Sequence, residues 1–185
     1  MGRGDLLTTN IKIITKVAEG VREYAPKAFT VVVASPLDAG VYVFQKVRDF
    51  QKSQGAGMAG TMEEARWRAF VAMELGVSVE DVAGTVLGGH GPTMVPLPRL
   101  TTVGGVPLTD LPDGETIERL VKRTAEAGTE IVKLLGRGSA SFSPACSAIP
   151  MAESFLKDKN RLLSFAALCE GEYGVDGIFL GVPPL

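Results

Sequence analysis

Histidine is almost missing from this 185-residue chain, which carries one, His90, beside two cysteines and one tryptophan. One histidine with Cys146 and Cys169 makes a poor zinc set, and two cysteines so far apart form no disulfide framework. An excess of charge is missing as well: 19 basic residues stand against 21 acidic ones. No net field draws nucleic acid or anionic lipid, and no block of like charge marks a tail. No stretch is apolar for long enough to span a bilayer, and Met1-Gly2-Arg3-Gly4-Asp5 lacks the basic-then-apolar pattern of a secretory signal. The expectation is a soluble, cytoplasmic chain with no nucleic-acid or membrane partner and no metal, long enough for one core or two lobes sharing one.

What is present reads as an α/β pattern. Leu6, Leu7, Ile11, Ile14, Val17, Ala18 and Val21 recur at helical spacing and predict an amphipathic helix over residues 5–24, ended by Pro26. Phe29 to Ala34 is a short β-branched run of the kind buried in a parallel sheet. Ser35-Pro36-Leu37-Asp38 follows, with serine at a helix N-cap, proline at the first helical position and an acid behind it. Thr61-Met62-Glu63-Glu64 predicts a second helix start, Thr61 capping and Glu64 reaching back, with the helix running to about Leu75 before Gly76. Ser78 opens a short turn, and Thr85-Val86-Leu87 reads as a strand. Residues 100–108 read as strands around Gly104-Gly105, and Glu115 to Leu135 as the longest helix. Ser143-Pro144 predicts a further helix to about Lys157, and residues 162–182 a closing antiparallel hairpin.

Two motifs compete for attention before chemistry is assigned. Gly55-Ala56-Gly57-Met58-Ala59-Gly60 matches the G-x-G-x-x-G of dinucleotide-binding loops and precedes a helix. Its context is wrong, because the polar run Arg48 to Gln54 stands where an apolar strand should deliver the phosphate to the helix. His90 lies between glycines in Gly88-Gly89-His90-Gly91 at the end of a strand, where a titratable ring can meet a ligand closely. Glu63 and Arg66, three residues apart on one helix, read alone as a solvated ion pair. Beside a lone histidine on the next strand, however, an arginine fork and an acid form the set needed to hold a carboxylate and move a proton.

These segments resemble the lactate/malate dehydrogenase family, and within it the lactate-dehydrogenase-like malate dehydrogenases. Leu87 to Gly91 with Thr93-Met94-Val95-Pro96-Leu97-Pro98 is similar to the family's catalytic-histidine segment, and Ala65-Arg66-Trp67-Arg68 to its substrate-arginine helix. Leu156 to Lys159 and Cys169 to Gly174 resemble its late helix end and hairpin. The resemblance implies the remainder of a Rossmann-type parallel sheet over residues 1–60, as part of an NAD-binding domain, followed by an α+β catalytic domain over 61–185. It implies NAD as cofactor, a 2-hydroxy or 2-oxo acid as substrate, reversible oxidation of malate to oxaloacetate, and a homo-oligomer. His90 would exchange the proton, and Glu63 would orient its ring. Arg66 would grip the C1 carboxylate, and Arg3 would polarise the carbonyl. Asn10, Val33, Ala34 and Ser35 fall at positions that contact the cofactor, Ser35 also facing the substrate.

Departures from the pattern are as specific as the matches. Serine stands at 35 where the family has asparagine, Glu63 where it has aspartate, and Pro92 where it has an acid. Measured against the family, the glycine-rich loop, the ribose acid and one substrate arginine would precede Met1, and a closing helix would follow Leu185. The sequence therefore supports a malate dehydrogenase truncated at both ends, whose remaining catalytic residues report the parent activity while the missing pyrophosphate cradle puts turnover by this chain alone in question. It also supports a second reading, a non-catalytic remnant serving as a binding or assembly module that pairs its open sheet edge with another chain.

Overall fold

The computed structural model describes residues 3–49, 51–138 and 140–183, with the side chains of 3–6 and 52 outside that description. Helix α1 (Arg3–Tyr24) leads through Pro26 to strand β1 (Thr30–Val32) and helix α2 (Leu37–Arg48). Strand β2 (Gly55–Gly57) precedes α3 (Thr61–Leu75), and short strands β3 (Val82–Ala83), β4 (Val86–Gly88), β5 (Met94–Pro96), β6 (Thr102–Val103) and β7 (Val106–Pro107) follow. Helices α4 (Gly114–Leu135) and α5 (Phe142–Leu156) then lead to the hairpin β8 (Phe165–Glu170) and β9 (Asp176–Val182).

Among the described residues the main sheet has the order β1-β2-β8-β9-β4-β5, and β3, β6 and β7 make a second, small sheet. Only β1 and β2 run parallel; every other pair in the main sheet is antiparallel. The nucleotide-type βα unit and the later hairpin thus share one surface. Val32, Leu37, Val41, Phe44, Ala166 and Phe179 pack α1 and α2 onto it in one buried cluster. Trp67, Val71, Val86, Leu108 and Leu120 bury the contact of α3 with α4 in another. The Trp67 indole N–H donates to Thr101 Oγ1 at 2.8 Å, so the polar edge of this large ring is satisfied where it is fully buried.

Three helix starts differ from the sequence expectation. Pro36 keeps an extended backbone (φ −67°, ψ 135°), so α2 opens at Leu37 and Ser35 does not cap it. Gly60 rather than Thr61 caps α3, because Thr61 Oγ1 donates to the Ser164 carbonyl at 2.7 Å and Glu64 accepts from Ser164 Oγ at 2.6 Å. A tertiary partner on the strand side outcompetes the local capping box. Helix α5 begins at Phe142, one residue before the expected serine, and Ser143 Oγ is buried without a partner among the described residues. The C-terminal expectations hold: Gly76 and Gly136 end α3 and α4 in the left-handed conformation.

The glycine-rich segment has a packing explanation instead of a phosphate-binding one. Gly57 pairs with Ala166 of β8, and a Cβ on Gly60 would stand 2.7 Å from the Ser164 carbonyl carbon. Close approach of β8, together with φ +69° at Gly60, sets the spacing.

Candidate active site

His90 sits just past the end of β4, half-buried, and α3 passes beneath it with Glu63 on its first turn. Glu63 belongs there although it is charged: it is 2 % exposed, and its Oε1 lies 2.9 Å from His90 Nδ1, whose side chain is 24 % exposed. The pair is at ion-pair distance without the alignment of a full hydrogen bond, since neither atom makes an aligned bond among the described residues. A glutamate reaching from a helix turn with one methylene more than aspartate gives such a contact.

Burial works against a charged imidazole here, but contact with Glu63 and the added negative field of Asp38 outweigh it, so His90 holds its proton to higher pH than an ordinary histidine. Arg66, one turn along α3, opposes that with its own charge. Burial in turn lowers the hold of Arg66 on its proton, and Glu63 restores part of it. Glu63 faces His90 instead of forming the surface pair that its spacing from Arg66 suggests.

Five buried polar atoms in this small region lack an aligned hydrogen bond among the described residues: both oxygens of Glu63, Nδ1 of His90, Nε of Arg66 and Oδ1 of Asp38. Glu63 Oε1 and His90 Nδ1 face each other at 2.9 Å, which leaves Glu63 Oε2, Arg66 Nε and Asp38 Oδ1 as polar atoms that could accept a further partner.

The second group of expected residues lies at the carboxyl end of β1, where parallel α/β sheets receive nucleotides. Val33 and Ser35 are exposed and Ala34 is half-buried against the core. Asn10 of α1 donates from Nδ2 to the Ser35 carbonyl at 2.5 Å, so α1 fixes this turn. The exposed Ser35 hydroxyl, on the bend that follows β1, offers the short polar contact that a flat, amide-bearing ring takes. The turn therefore fits a nicotinamide. Arg3 begins α1, but its side chain lies outside the described residues.

Asp38 was legible only as the acid of a helix start. The structure brings its Oδ2 to 3.1 Å from the His90 N–H, across 52 residues of sequence. No residue pattern announces that contact, because the partner is a backbone amide on a distant loop. Among the described residues no group of acidic, histidine and cysteine side chains could hold a metal ion, and no helix is long and apolar enough to cross a membrane.

Residues 60–185 match the family described as lactate/malate dehydrogenase, alpha/beta C-terminal domain, and residues 1–57 match lactate/malate dehydrogenase, NAD binding domain. The chain is 54 % identical over 183 residues to malate dehydrogenase 1 of Anaeromyxobacter dehalogenans (strain 2CP-C), covering 99 % of this chain and 59 % of that protein. It superposes with a TM-score of 0.94 on malate dehydrogenase from Salinibacter ruber, at 48 % identity, covering 98 % of this chain and 59 % of that one. Against lactate dehydrogenase from Cryptosporidium parvum complexed with lactic acid and nicotinamide adenine dinucleotide, the TM-score is 0.95 at 42 % identity, with coverage of 99 % and 59 %. The chain thus spans about 59 % of the length of the curated relative it matches.

Proposed function

The chain belongs to the lactate/malate dehydrogenase family, and from that premise we propose that it carries the proton-transfer half of an NAD-dependent malate dehydrogenase, interconverting malate and oxaloacetate. The observation that carries this reading is the underbonded cluster of His90, Glu63 and Arg66. The division into residues 1–60 for the cofactor and 61–185 for the substrate belongs to the same proposal.

Bound NAD supplies a nicotinamide ring that accepts hydride from the substrate carbon. His90 takes the proton of the C2 hydroxyl on its Nε2, and in the reverse direction returns it to the carbonyl oxygen. Glu63 at Nδ1 fixes which nitrogen faces the substrate and favours the protonated ring. Arg66 holds the C1 carboxylate through parallel hydrogen bonds, which satisfies the buried Nε it otherwise leaves bare. Arg3, by likeness alone, polarises the reacting carbonyl. Asn10 fixes the turn of Val33, Ala34 and Ser35, which would hold the nicotinamide, and Ser35 would also offer its hydroxyl to the substrate. A serine there is shorter than a carboxamide and holds the substrate less firmly.

We assign the chain to a homo-oligomer in a reducing, cytoplasmic setting. Phe142, Ile149 and Leu156 recur at seven-residue spacing along α5 and are 86 %, 63 % and 79 % exposed, an apolar stripe that a second copy would cover. Cys146 on the same helix is a free thiol. A second reading, a non-catalytic module, draws on one observation: β1 has no strand on its outer side among the described residues.

Titration of the purified chain with NADH, followed by oxaloacetate reduction beside a His90→Asn control, separates the readings. Saturable binding with turnover lost in the control is the expected result. No binding, or turnover equal in both, sinks the catalytic reading for this polypeptide.

A further inference from the structure

Asp38 and His90 lie on different elements, yet one carboxylate oxygen joins them. Asp38 stands in the first turn of α2, three residues past the turn that the cofactor reading uses, and its Oδ2 accepts the His90 N–H at 3.1 Å. Gly89, next to His90, leaves the space: a Cβ there would stand 3.3 Å from the same Oδ2. The other oxygen, Oδ1, is buried and has no hydrogen-bond partner among the described residues.

We infer that Asp38 is a positioning residue for His90, tying the start of α2 to the loop that carries the imidazole and facing the ring with a second negative charge beside Glu63. The inference rests on the reading of His90 as the proton-transfer group. The ordinary account of an acid in a helix's first turn is complementarity to the helix dipole, which needs no partner in the next loop. That account leaves both the His90 N–H bond and the buried, unpartnered Oδ1 unexplained.

The charged groups that act on this ring are Glu63 and Arg66 from α3 and Asp38 from α2. Glu63 and Asp38 favour the imidazolium, while Arg66 and burial disfavour it. The coupling is reciprocal. Burial raises the Asp38 carboxyl above the usual range, and the His90 N–H and ring charge draw it back.

His90 is the only histidine, so its ring resonances in an NMR pH titration are unambiguous. The comparison is wild type, Asp38→Asn and Asp38→Ala on the full chain. Asparagine keeps an oxygen that can accept the His90 N–H, so its amide exchange stays slow while the ring midpoint falls. Alanine lowers the midpoint and also frees the amide to exchange. A midpoint in Asp38→Asn equal to that of wild type overturns the inference. Should Asp38→Asn fail to fold, shown by loss of buried Trp67 emission, the wild type alone decides: the Asp38 carboxyl carbon shift must inflect where His90 titrates, and a carboxyl blind to the ring overturns the inference. Neither readout uses turnover. Failure to bind NADH with the titrations coupled therefore counts against the dehydrogenase reading and leaves the Asp38–His90 relation standing.

Discussion

His90 Nδ1 lies 2.9 Å from Glu63 Oε1, and Glu63 is 2 % exposed while the histidine side chain keeps 24 % of its surface open. The asymmetry fits the proposed roles. A carboxylate buried this deeply is not open to a ligand, whereas the part-exposed ring can be reached by one. The acid was reachable by pattern, from a glutamate one turn before an arginine. Its partner was reachable by rarity.

Replacing Glu63 by glutamine removes the charge and keeps nearly the same volume. The His90 titration midpoint should then fall, because the largest influence raising it is lost while burial and Arg66 remain. Arg66→Gln should move the midpoint the opposite way. The sole-histidine NMR titration reads both, and shifts of the same sign in the two variants would refute this account of the ring's electrostatics.

Stability should depend on pH through the same ring. His90 has a higher affinity for its proton in the folded chain than the ordinary value of 6.5. Its contribution is therefore complete below about 6.5, the unfolded value, and is lost as pH rises through the higher folded value. Urea unfolding followed by Trp67 fluorescence should show stability declining across that window. In His90→Asn the decline should vanish even though the overall stability differs.

The long elements were legible because periodicity and stop signals report them directly. The α1 stripe from Leu7 to Val21, the glycine stops at 76 and 136 and the closing hairpin all follow from local chemistry. Helix starts were not, wherever a distant residue claimed the capping group, as Ser164 does with Thr61 and Glu64. The mixed sheet was hidden for the same reason: the single Gly57–Ala166 pairing that joins the two halves spans over a hundred residues. Of the candidate site, the proximity of Glu63, Arg66 and His90 could be expected from residue type and spacing. Asp38 could not, since its partner is a main-chain amide.

Arg48 should prove a strong determinant of stability despite lying far from His90. It is 3 % exposed, and its guanidinium donates to the carbonyls of Pro26, Ala28 and Gln54 and to Thr30 Oγ1. One side chain thereby gathers the end of α2 with the segments entering β1 and β2. Arg48→Met strands those acceptors in a buried place, at a cost of about 3 kcal/mol. Chemical denaturation measures it, and a loss under about 1 kcal/mol would show that water reaches the carbonyls.

Gly60 and Gly76 flank α3 with similar φ, +69° and +66°, but with ψ −69° and +32°, so Gly60 sits in a more strained conformation and they should respond differently to alanine. At Gly76 a Cβ meets nothing within 4 Å, so Gly76→Ala carries only the conformational cost of a left-handed residue, about 1 kcal/mol. At Gly60 the same atom would stand 2.5 Å from Ser164 Cβ and 2.7 Å from the Ser164 carbonyl carbon and oxygen. Backbone cannot rotate aside as a side chain does. Relief requires α3 and the segment entering β8 to part, which breaks the Thr61–Ser164 and Glu64–Ser164 bonds and shifts Glu63 beneath His90. Gly60→Ala should therefore cost more than about 3 kcal/mol, and any folded remainder should show a lowered His90 midpoint. Equal losses in the two variants would mean that the approach of the segment entering β8 adds nothing to the cost at this position.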